Sequence, residues 1–272
     1  LISDRSSHTI KLISPNGVVE TVIGQPYNCG QESGNADEVR ICEPQQIAVD
    51  LNSGNVFWYN NKNIWGFNET DGKVSLAYQG DQDGINRIGG IAFMNNEIYF
   101  TDQGRNTLNK LTWTGTSWQN MSLVAGVTNT SKNNWDNVPR NFSEATFGQQ
   151  PGYITADPTN NRLFVNTGYY DWDWDQLGRM YVVDFASSTV TEMKELREFI
   201  SAAAQGKYPE FGKPSIDSSG SLYVPVTNFN IIIKVDFNND GSYAGVIANI
   251  NNEKITRPVS VEINQGSLYV AN

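Results

Sequence analysis

The sequence has very few of the residues on which much catalytic and metal chemistry depends. Its 272 residues include one histidine, His8, and two cysteines, Cys29 and Cys42. A histidine-ligated zinc site needs two or three imidazoles from one chain, so that class of site is excluded. A Ser-His-Asp mechanism would depend entirely on His8. We assign no catalytic residue, and we expect His8 to be a packing or hydrogen-bonding residue.

Basic residues are also few. Lys and Arg number 19 against 29 Asp and Glu, which gives a formal net charge of −10 and an isoelectric point of about 4.6. The Lys and Arg residues form no cluster that could neutralise phosphates, so nucleic acid is not an expected partner. No run approaches the ~20 apolar residues that span a bilayer, so membrane insertion is not expected either.

The sequence does contain an internal repeat. Five segments begin near a proline or an equivalent position, and each is followed by a short apolar run such as Gly54–Tyr59. Their starts lie roughly 40 to 65 residues apart, the spacing of β-propeller blades. The five segments are Glu43–Asp50, Arg87–Phe93, Gln150–Asp157, Lys213–Asp217 and Arg257–Val261.

Each period continues with two more short segments rich in Val, Ile, Tyr and Phe and bounded by turn residues. Four such segments per period predict an all-β chain of four-stranded antiparallel blades. Only Met193–Gln205 has a helical composition. The predicted third strands are Thr9–Ile13, Asn63–Phe67, Thr107–Thr112, Arg179–Phe185 and Ile231–Asp236. The predicted fourth strands are Gly17–Ile23, Lys73–Tyr78, Met121–Ala125, Thr189–Met193 and Tyr243–Ala248.

These residues resemble the NHL repeat, in its extracellular type. The best match is Leu1–Ile13 followed by Asn16–Gly24, and Asn141–Phe147 resembles the family's connector between blades. The resemblance covers nearly the whole chain. It implies a propeller fold and says little about function, because function lies in sites placed on a fold.

The two ends of the chain affect the expected number of blades. Leu1–Asp4 and Tyr269–Asn272 both match the end of a second strand, so they would compete for one position in a five-bladed propeller. We therefore expect a six-bladed propeller with incomplete terminal blades, and a five-bladed propeller is the alternative. Residues 1–272 are expected to form a single propeller domain that is part of a larger chain. The fourth repeat lacks two residues after Pro214 and should be irregular.

Two features favour a secreted or cell-surface protein. Four Asn-x-Ser/Thr sequons occur, at Asn68, Asn120, Asn129 and Asn141, and they are candidate glycosylation sites, although chance could supply some of them. Cys29 and Cys42 are close enough in sequence to close a disulfide loop worth ~3 kcal/mol. Two free buried thiols are the alternative for the cysteines.

The long insertions define a candidate binding face. Loops that leave second strands, or that link blades, emerge on one side of a propeller, and we call that side the long-loop face. Four insertions belong to it: Gln25–Glu43, Val127–Gln149, Tyr169–Gly178 and Lys194–Gly212. The predicted binding residues are Tyr169, Tyr170, Asp171, Trp172, Asp173, Trp174 and Asp175. Aromatic faces beside carboxylates suit a carbohydrate or a cationic partner, whereas the alternative is that both tryptophans cap the blade core.

Two functions follow from these features. The first is a binding or architectural module whose partner is a protein or a carbohydrate, including other copies or domains of a larger surface assembly. The second is implied by the resemblance, because some similar propellers hold calcium for lactone or ester hydrolysis: a calcium-dependent propeller hydrolase of the lactonase or esterase type. Asp236–Gly241 matches the front of a calcium loop, but Ile247 replaces the expected Glu, so we interpret the segment as a turn. No cofactor is assigned, and calcium is the alternative.

Overall fold

The structure, a computed structural model, describes residues 1–115, 117–128, 138–148, 150–167, 178–203, 209–238, 242–264 and 266–272. These residues form antiparallel sheets whose strands follow one another along the chain. The first sheet contains β1 (Ile2–Asp4), β2 (Thr9–Ile13) and β3 (Val19–Ile23). The second contains β4 (Gly34–Asn35), β5 (Ile47–Val49), β6 (Val56–Asn60), β7 (Asn63–Asn68) and β8 (Lys73–Gln79).

The remaining sheets repeat this pattern. The third contains β9 (Ile88–Met94), β10 (Glu97–Asp102), β11 (Thr107–Thr112) and β12 (Ser122–Ala125). The fourth contains β13 (Arg140–Asn141), β14 (Pro151–Asp157), β15 (Arg162–Thr167), β16 (Met180–Asp184) and β17 (Thr189–Glu192). A helix, α1 (Lys194–Ala203), follows. The fifth sheet contains β18 (Ser215–Ile216), β19 (Leu222–Val226), β20 (Ile231–Phe237) and β21 (Tyr243–Ile250), and the last pair is β22 (Ser260–Asn264) and β23 (Ser267–Ala271).

The prediction of an all-β chain of four-stranded antiparallel blades is confirmed. Each predicted third and fourth strand is present, with bounds that differ from the expected ones by at most two residues. Among the described residues, five sheets are blades of three or more strands and the sixth is the hairpin of β22 and β23. The terminal sheets are incomplete, as expected, and the five blades match the five-bladed alternative rather than the preferred count of six.

The second strands explain why the apolar runs in the sequence are continuous. In β6 and β15 every residue is buried, because both faces of a blade's middle strands are covered. The fourth repeat is irregular, as predicted: β18 has two residues, whereas the first strand of the preceding blade, β14, has seven.

The chain divides into two compact units. The first comprises residues 1–100 and 110–122, and the second comprises residues 101–109 and 123–272. In the first unit, Phe57, Ile64, Ile91 and Phe100 belong to one apolar core, and Trp58 and Trp65 pack in another with Ile10 and Ile23.

The second unit combines an apolar core with a buried ion pair. Phe164, Leu222 and Ile233 belong to that core. The Arg162 guanidinium lies 4.1 Å from the centroid of the Phe237 ring, and its Nε donates to Asp157 Oδ2 at 2.7 Å. Both charged side chains are almost completely buried, so the loss of either one would leave the other as an unpaired buried charge.

Two links between blades form an additional short strand that sequence reasoning did not resolve. The link after β3 forms β4, which pairs with β8, and the link after β12 forms β13, which pairs with β17. The same contact anchors each link, because Gly24 N donates to Ala36 O at 2.9 Å and Gly126 N donates to Phe142 O at 3.1 Å. These added strands cover the outer edges of two blades, where backbone groups would otherwise be unpaired.

A repeated hydrogen bond joins a turn of one blade to the start of the next. The acceptor is the side chain of a residue with positive φ that lies between the second and third strands of one blade. The donor is the backbone N–H group of the residue that precedes the proline of the next blade. We call these contacts the inter-blade latches. Glu43 N donates to His8 Nδ1 at 3.2 Å, Gln150 N to Asn106 Oδ1 at 2.9 Å and Arg257 N to Asn230 Oδ1 at 2.8 Å.

The latch residues share an unusual backbone conformation. The acceptors His8, Asn106 and Asn230 have φ of 59°, 59° and 56°, in the left-handed region where Asn and His are enriched. The donor residues Glu43 and Gln150 also have positive φ, at 44° and 50°. His8 therefore has the hydrogen-bonding role that the sequence predicted, and asparagine performs the same role in two other repeats.

We predict that Asn106 stabilises the second unit through both its side chain and its backbone conformation. Asn106→Ala should lower the free energy of unfolding by about 1.5–3 kcal/mol, since it removes one hydrogen bond and places a Cβ residue in the left-handed region. Asn106→Gly should cost less, because glycine adopts positive φ without strain. Urea unfolding followed by circular dichroism measures both. Equal losses below about 0.5 kcal/mol would show that the latch contributes no stability.

Candidate functional site

The predicted disulfide is present. Cys29 and Cys42 are bonded, with their Cα atoms 4.5 Å apart. The predicted binding segment Tyr169–Asp175 and the sequon at Asn129 lie outside the described residues. The candidate sites are the disulfide segment in the first unit and, separately, the residues that flank 168–177 in the second unit.

The disulfide closes a long link into an ordered surface segment, residues Gln25–Glu43. Within it, Arg40 Nε donates to Glu32 Oε1 at 2.8 Å and Arg40 N donates to Glu32 Oε2 at 3.0 Å. The arginine hydrogen bonds hold the pKa of the Glu32 carboxyl below its usual value. Because both charges are exposed, the pair adds little to overall stability, and its effect is to select one conformation of the segment.

Both ends of the disulfide segment are attached to the turn between β1 and β2. At one end Tyr27 N donates to Ser7 O at 2.8 Å, and at the other Glu43 N donates to His8 Nδ1. Arg5 adds an ion pair, with its Nη2 2.8 Å from Glu43 Oε2. The turn thus fixes the segment at two points that flank the disulfide in sequence.

Tyr27 is the most prominent side chain of this segment. It is 81% exposed and its φ is 61°, so the backbone holds a large aromatic ring away from the blade. Non-glycine residues at positive φ persist only where the surroundings fix them. Here the surroundings are the hydrogen bond to Ser7 and the nearby disulfide.

In the second unit, β15 and β16 flank the predicted binding segment. The residues that adjoin the segment, Thr167, Gly178 and Arg179, are its base, and β15 and β16 are paired up to them. Thr167 N donates to Arg179 O at 3.0 Å, and Arg179 N donates to Thr167 Oγ1 at 3.1 Å. Gly178 has φ of 72°, and an added Cβ would lie 1.7 Å from Pro209 O, so only glycine fits there. The base of the segment is therefore rigidly positioned.

A buried ionic cluster lies directly beside this base. Glu192, at the end of β17, receives Arg179 Nη1 at 2.8 Å on one oxygen and Arg197 Nε at 3.1 Å on the other. The side chains of Arg179 and Glu192 are 1% and 0% exposed. The pKa of the neighbouring Tyr181 hydroxyl is raised, mainly because the group is buried. The cluster ties β16 and β17 to α1.

The helix packs through one face. Leu196 and Ile200 are buried against the core, whereas Phe199 is 48% exposed. The predicted helix Met193–Gln205 is thus confirmed over Lys194–Ala203, and residues 204 and 205 lie outside the described residues. Sequence reasoning missed the ionic cluster, because no local spacing links residues 179, 192 and 197 before the strand pairing is known.

Three sequons can be placed. Asn68, Asn120 and Asn141 are all exposed. Asn120 precedes β12 and lies outside the strand. Accessibility is necessary for glycosylation and is met at these three positions.

Within the described ranges, no group of three or more His, Cys, Asp or Glu side chains is arranged to hold a metal ion. The turn proposed for Asp236–Gly241 lies partly outside those ranges. No helix in the described parts of the chain combines the length and apolar character needed to span a bilayer.

Comparison with solved structures identifies the fold as a β-propeller. A chain of the nidogen/laminin complex matches 98% of this chain and 83% of its own length, with a TM-score of 0.65 and 12% identity. Virginiamycin B lyase from Staphylococcus aureus matches 98% of this chain and 71% of its own, with a TM-score of 0.56 and 14% identity. A luciferin-regenerating enzyme matches 84% and 68%, with a TM-score of 0.56 and 14% identity.

Sequence comparison adds little to this. No family model matches the chain. One curated protein, tRNA(Ile2) 2-agmatinylcytidine synthetase TiaS from Caldivirga maquilingensis, is 33% identical over 86 residues, which cover 29% of this chain and 20% of that protein. The chain therefore spans one fifth of the length of that curated relative. The structural likenesses, all far below 25% identity, establish the fold alone.

We predict that Glu192 neutralises an otherwise uncompensated buried charge. Glu192→Gln keeps the shape of the side chain but leaves Arg179 without its carboxylate, so the free energy of unfolding should fall by about 3–5 kcal/mol. The control is Glu198→Gln, which removes only an exposed pair with Lys194 and should change stability by less than about 0.5 kcal/mol. Urea unfolding of both variants tests this. A loss below about 1 kcal/mol for Glu192→Gln would contradict a buried-charge role.

Proposed function

We propose that this chain is an extracellular propeller of the NHL type that acts as a binding or architectural module. Its long-loop face would bind a protein or carbohydrate partner, including other copies or domains of a larger surface assembly. The observation that carries this proposal is the disulfide segment, which is longer than a link between two blades needs and is held in one conformation with an aromatic side chain exposed.

Several physical features of the segment favour binding. A surface that is ordered before binding loses less conformational entropy when a partner docks. Tyrosine supplies a large contact area with few rotatable bonds and carries a hydroxyl for hydrogen bonding. Tyr27 meets both conditions, since the disulfide, the Ser7 contact and the His8 latch position its backbone. Packing does not explain its 81% exposure.

The segment Tyr169–Asp175 is proposed as a second, separate binding segment. Its base is held by the pairing of Thr167 with Arg179 and by the cluster around Glu192. A rigid base would limit the entropy lost when the two Trp and three Asp side chains of the segment contact a partner.

The extracellular location rests on the disulfide and the sequons. Disulfides persist mainly in oxidising compartments. The Cys29–Cys42 bond and the propeller fold are compatible with such a location. Exposed sequons at Asn68, Asn120 and Asn141 would carry glycans there.

Binding through Tyr27 can be tested directly. The chain would be screened against a glycan array and a library of displayed extracellular protein domains. For a partner found there, Tyr27→Ala should weaken binding at least tenfold without changing the melting temperature, since the side chain makes little contact with the fold. Trp172→Ala combined with Trp174→Ala should do the same.

The matched control is Leu51→Ala. Leu51 is 91% exposed and lies in the turn between β5 and β6, at the opposite end of these strands from the long links. Its loss should leave binding unchanged. Binding that depends on Leu51 but not on Tyr27 or the tryptophans would place the site elsewhere. Calcium-dependent hydrolysis of lactones or esters by the purified chain would favour the hydrolase alternative.

Glycosylation provides a separate test of location. We expect glycan on Asn68 and on at least one of Asn129 and Asn141 in protein from its natural source. Peptide mapping by mass spectrometry, with and without enzymatic deglycosylation, measures the occupancy of each asparagine. If all four asparagines are unmodified in that material, the secretory assignment is wrong.

A further inference from the structure

The three inter-blade latches differ in one chemical property. Two of them use the Oδ1 atom of an asparagine, which accepts hydrogen bonds at any pH near neutrality. The latch at the disulfide segment uses Nδ1 of His8, the only histidine of the chain. An Nδ1 atom that accepts the Glu43 N–H can carry no proton itself, so this latch requires the neutral imidazole with its proton on Nε2.

We propose that the His8 latch is a pH-sensitive attachment of the disulfide segment, closed when the imidazole is neutral and released when Nδ1 is protonated. An imidazolium has two donors and no acceptor, so it cannot receive the Glu43 N–H. Acidification should therefore open this latch. This inference does not depend on the proposed binding function.

The charged groups around the latch belong to the β1–β2 turn and to the disulfide segment. Asp4 is held by Lys11 Nζ at 2.6 Å and by Ser7 N at 3.1 Å, and Arg5 is paired with the Glu43 carboxylate. The arginine hydrogen bond holds the pKa of Glu43 below its usual value, and the contacts of Asp4 lower its pKa to about 2. Both carboxylates therefore stay ionised through the range in which an imidazole titrates.

The neighbouring charges do not supply a new acceptor for the Glu43 N–H. Arg5 contacts Oε2 of the Glu43 carboxylate, and the charge of an imidazolium would be attracted to the same carboxylate, but neither interaction involves the backbone N–H. The segment would keep its disulfide and the contact between Tyr27 N and Ser7 O, but its Glu43 end would lose the backbone contact to the turn. Release is therefore local and leaves the blades folded.

Solution NMR of the intact chain tests the latch, because a single histidine gives one set of ring signals. At neutral pH the ring nitrogen shifts should show a proton on Nε2 and an accepting Nδ1. On acidification from pH 8 to pH 5, the amide proton of Glu43 should lose its hydrogen-bonded downfield shift with the same midpoint as the ring. The amides of Gln150 and Arg257 serve as internal controls and should not move with that midpoint.

Two variants separate the role of the acceptor from that of the backbone. His8→Asn copies the other latches, so the Glu43 amide should stay downfield at every pH. His8→Gly keeps the left-handed backbone but has no acceptor, so the Glu43 amide should be upfield even at neutral pH. Local opening at Glu43 should be roughly three- to tenfold faster, the factor expected for the loss of one exposed hydrogen bond. The proposal is overturned if the Glu43 amide titrates equally in His8→Asn and wild type, or if His8→Gly leaves it downfield.

Discussion

A blade that ends in a turn must be attached to the chain that begins the next blade, and in this protein a polar side chain in a left-handed turn makes that attachment. The residue before three of the entering prolines, Pro44, Pro151 and Pro258, has an N–H group close to the surface, and the proline itself has none. The acceptor atoms of His8, Asn106 and Asn230 satisfy that N–H group. The position requires a residue that tolerates positive φ and also carries an acceptor, which explains the choice of Asn and His.

Further hydrogen bonds add to the latches at the same ends of the strands. Side chains near the ends of second strands donate to backbone carbonyls that begin the next blade. Tyr59 Oη donates to Gly89 O at 2.7 Å, Thr101 Oγ1 to Gly152 O at 2.9 Å and Thr227 Oγ1 to Pro258 O at 2.8 Å. The long links therefore start and end at fixed backbone positions, and a rigid framework allows long loops to serve as a binding surface.

The fold was predictable from the sequence because its signals are local. Runs such as Val56–Asn60, which are almost entirely apolar, indicate strands that are buried on both faces. The shortened repeat after Pro214 corresponds to the two-residue strand β18. The disulfide was predictable because the two cysteines are 13 residues apart in one polar segment, a spacing that can close a short disulfide loop. Alignment of the repeats also placed His8 beside the start of a third strand.

The attachments between blades were not predictable in the same way. The cluster of Arg179, Glu192 and Arg197 needs the register of β16 and β17 and the position of α1, which no local pattern supplies. The strands β4 and β13 have two residues each, too few to show a period. The latches had a signal that the repeat alignment contains, since His8, Asn106 and Asn230 each precede a third strand, but their partners lie 27 to 44 residues away.

Native-state hydrogen exchange at the amides of Glu43, Gln150 and Arg257 tests the central claim most directly. If the latches join successive blades, these three amides will exchange at least roughly tenfold more slowly than expected for an unstructured chain at neutral pH, although each lies in a link outside the strands. Exchange at the unstructured rate for all three amides, while the neighbouring strands stay protected, would contradict the account.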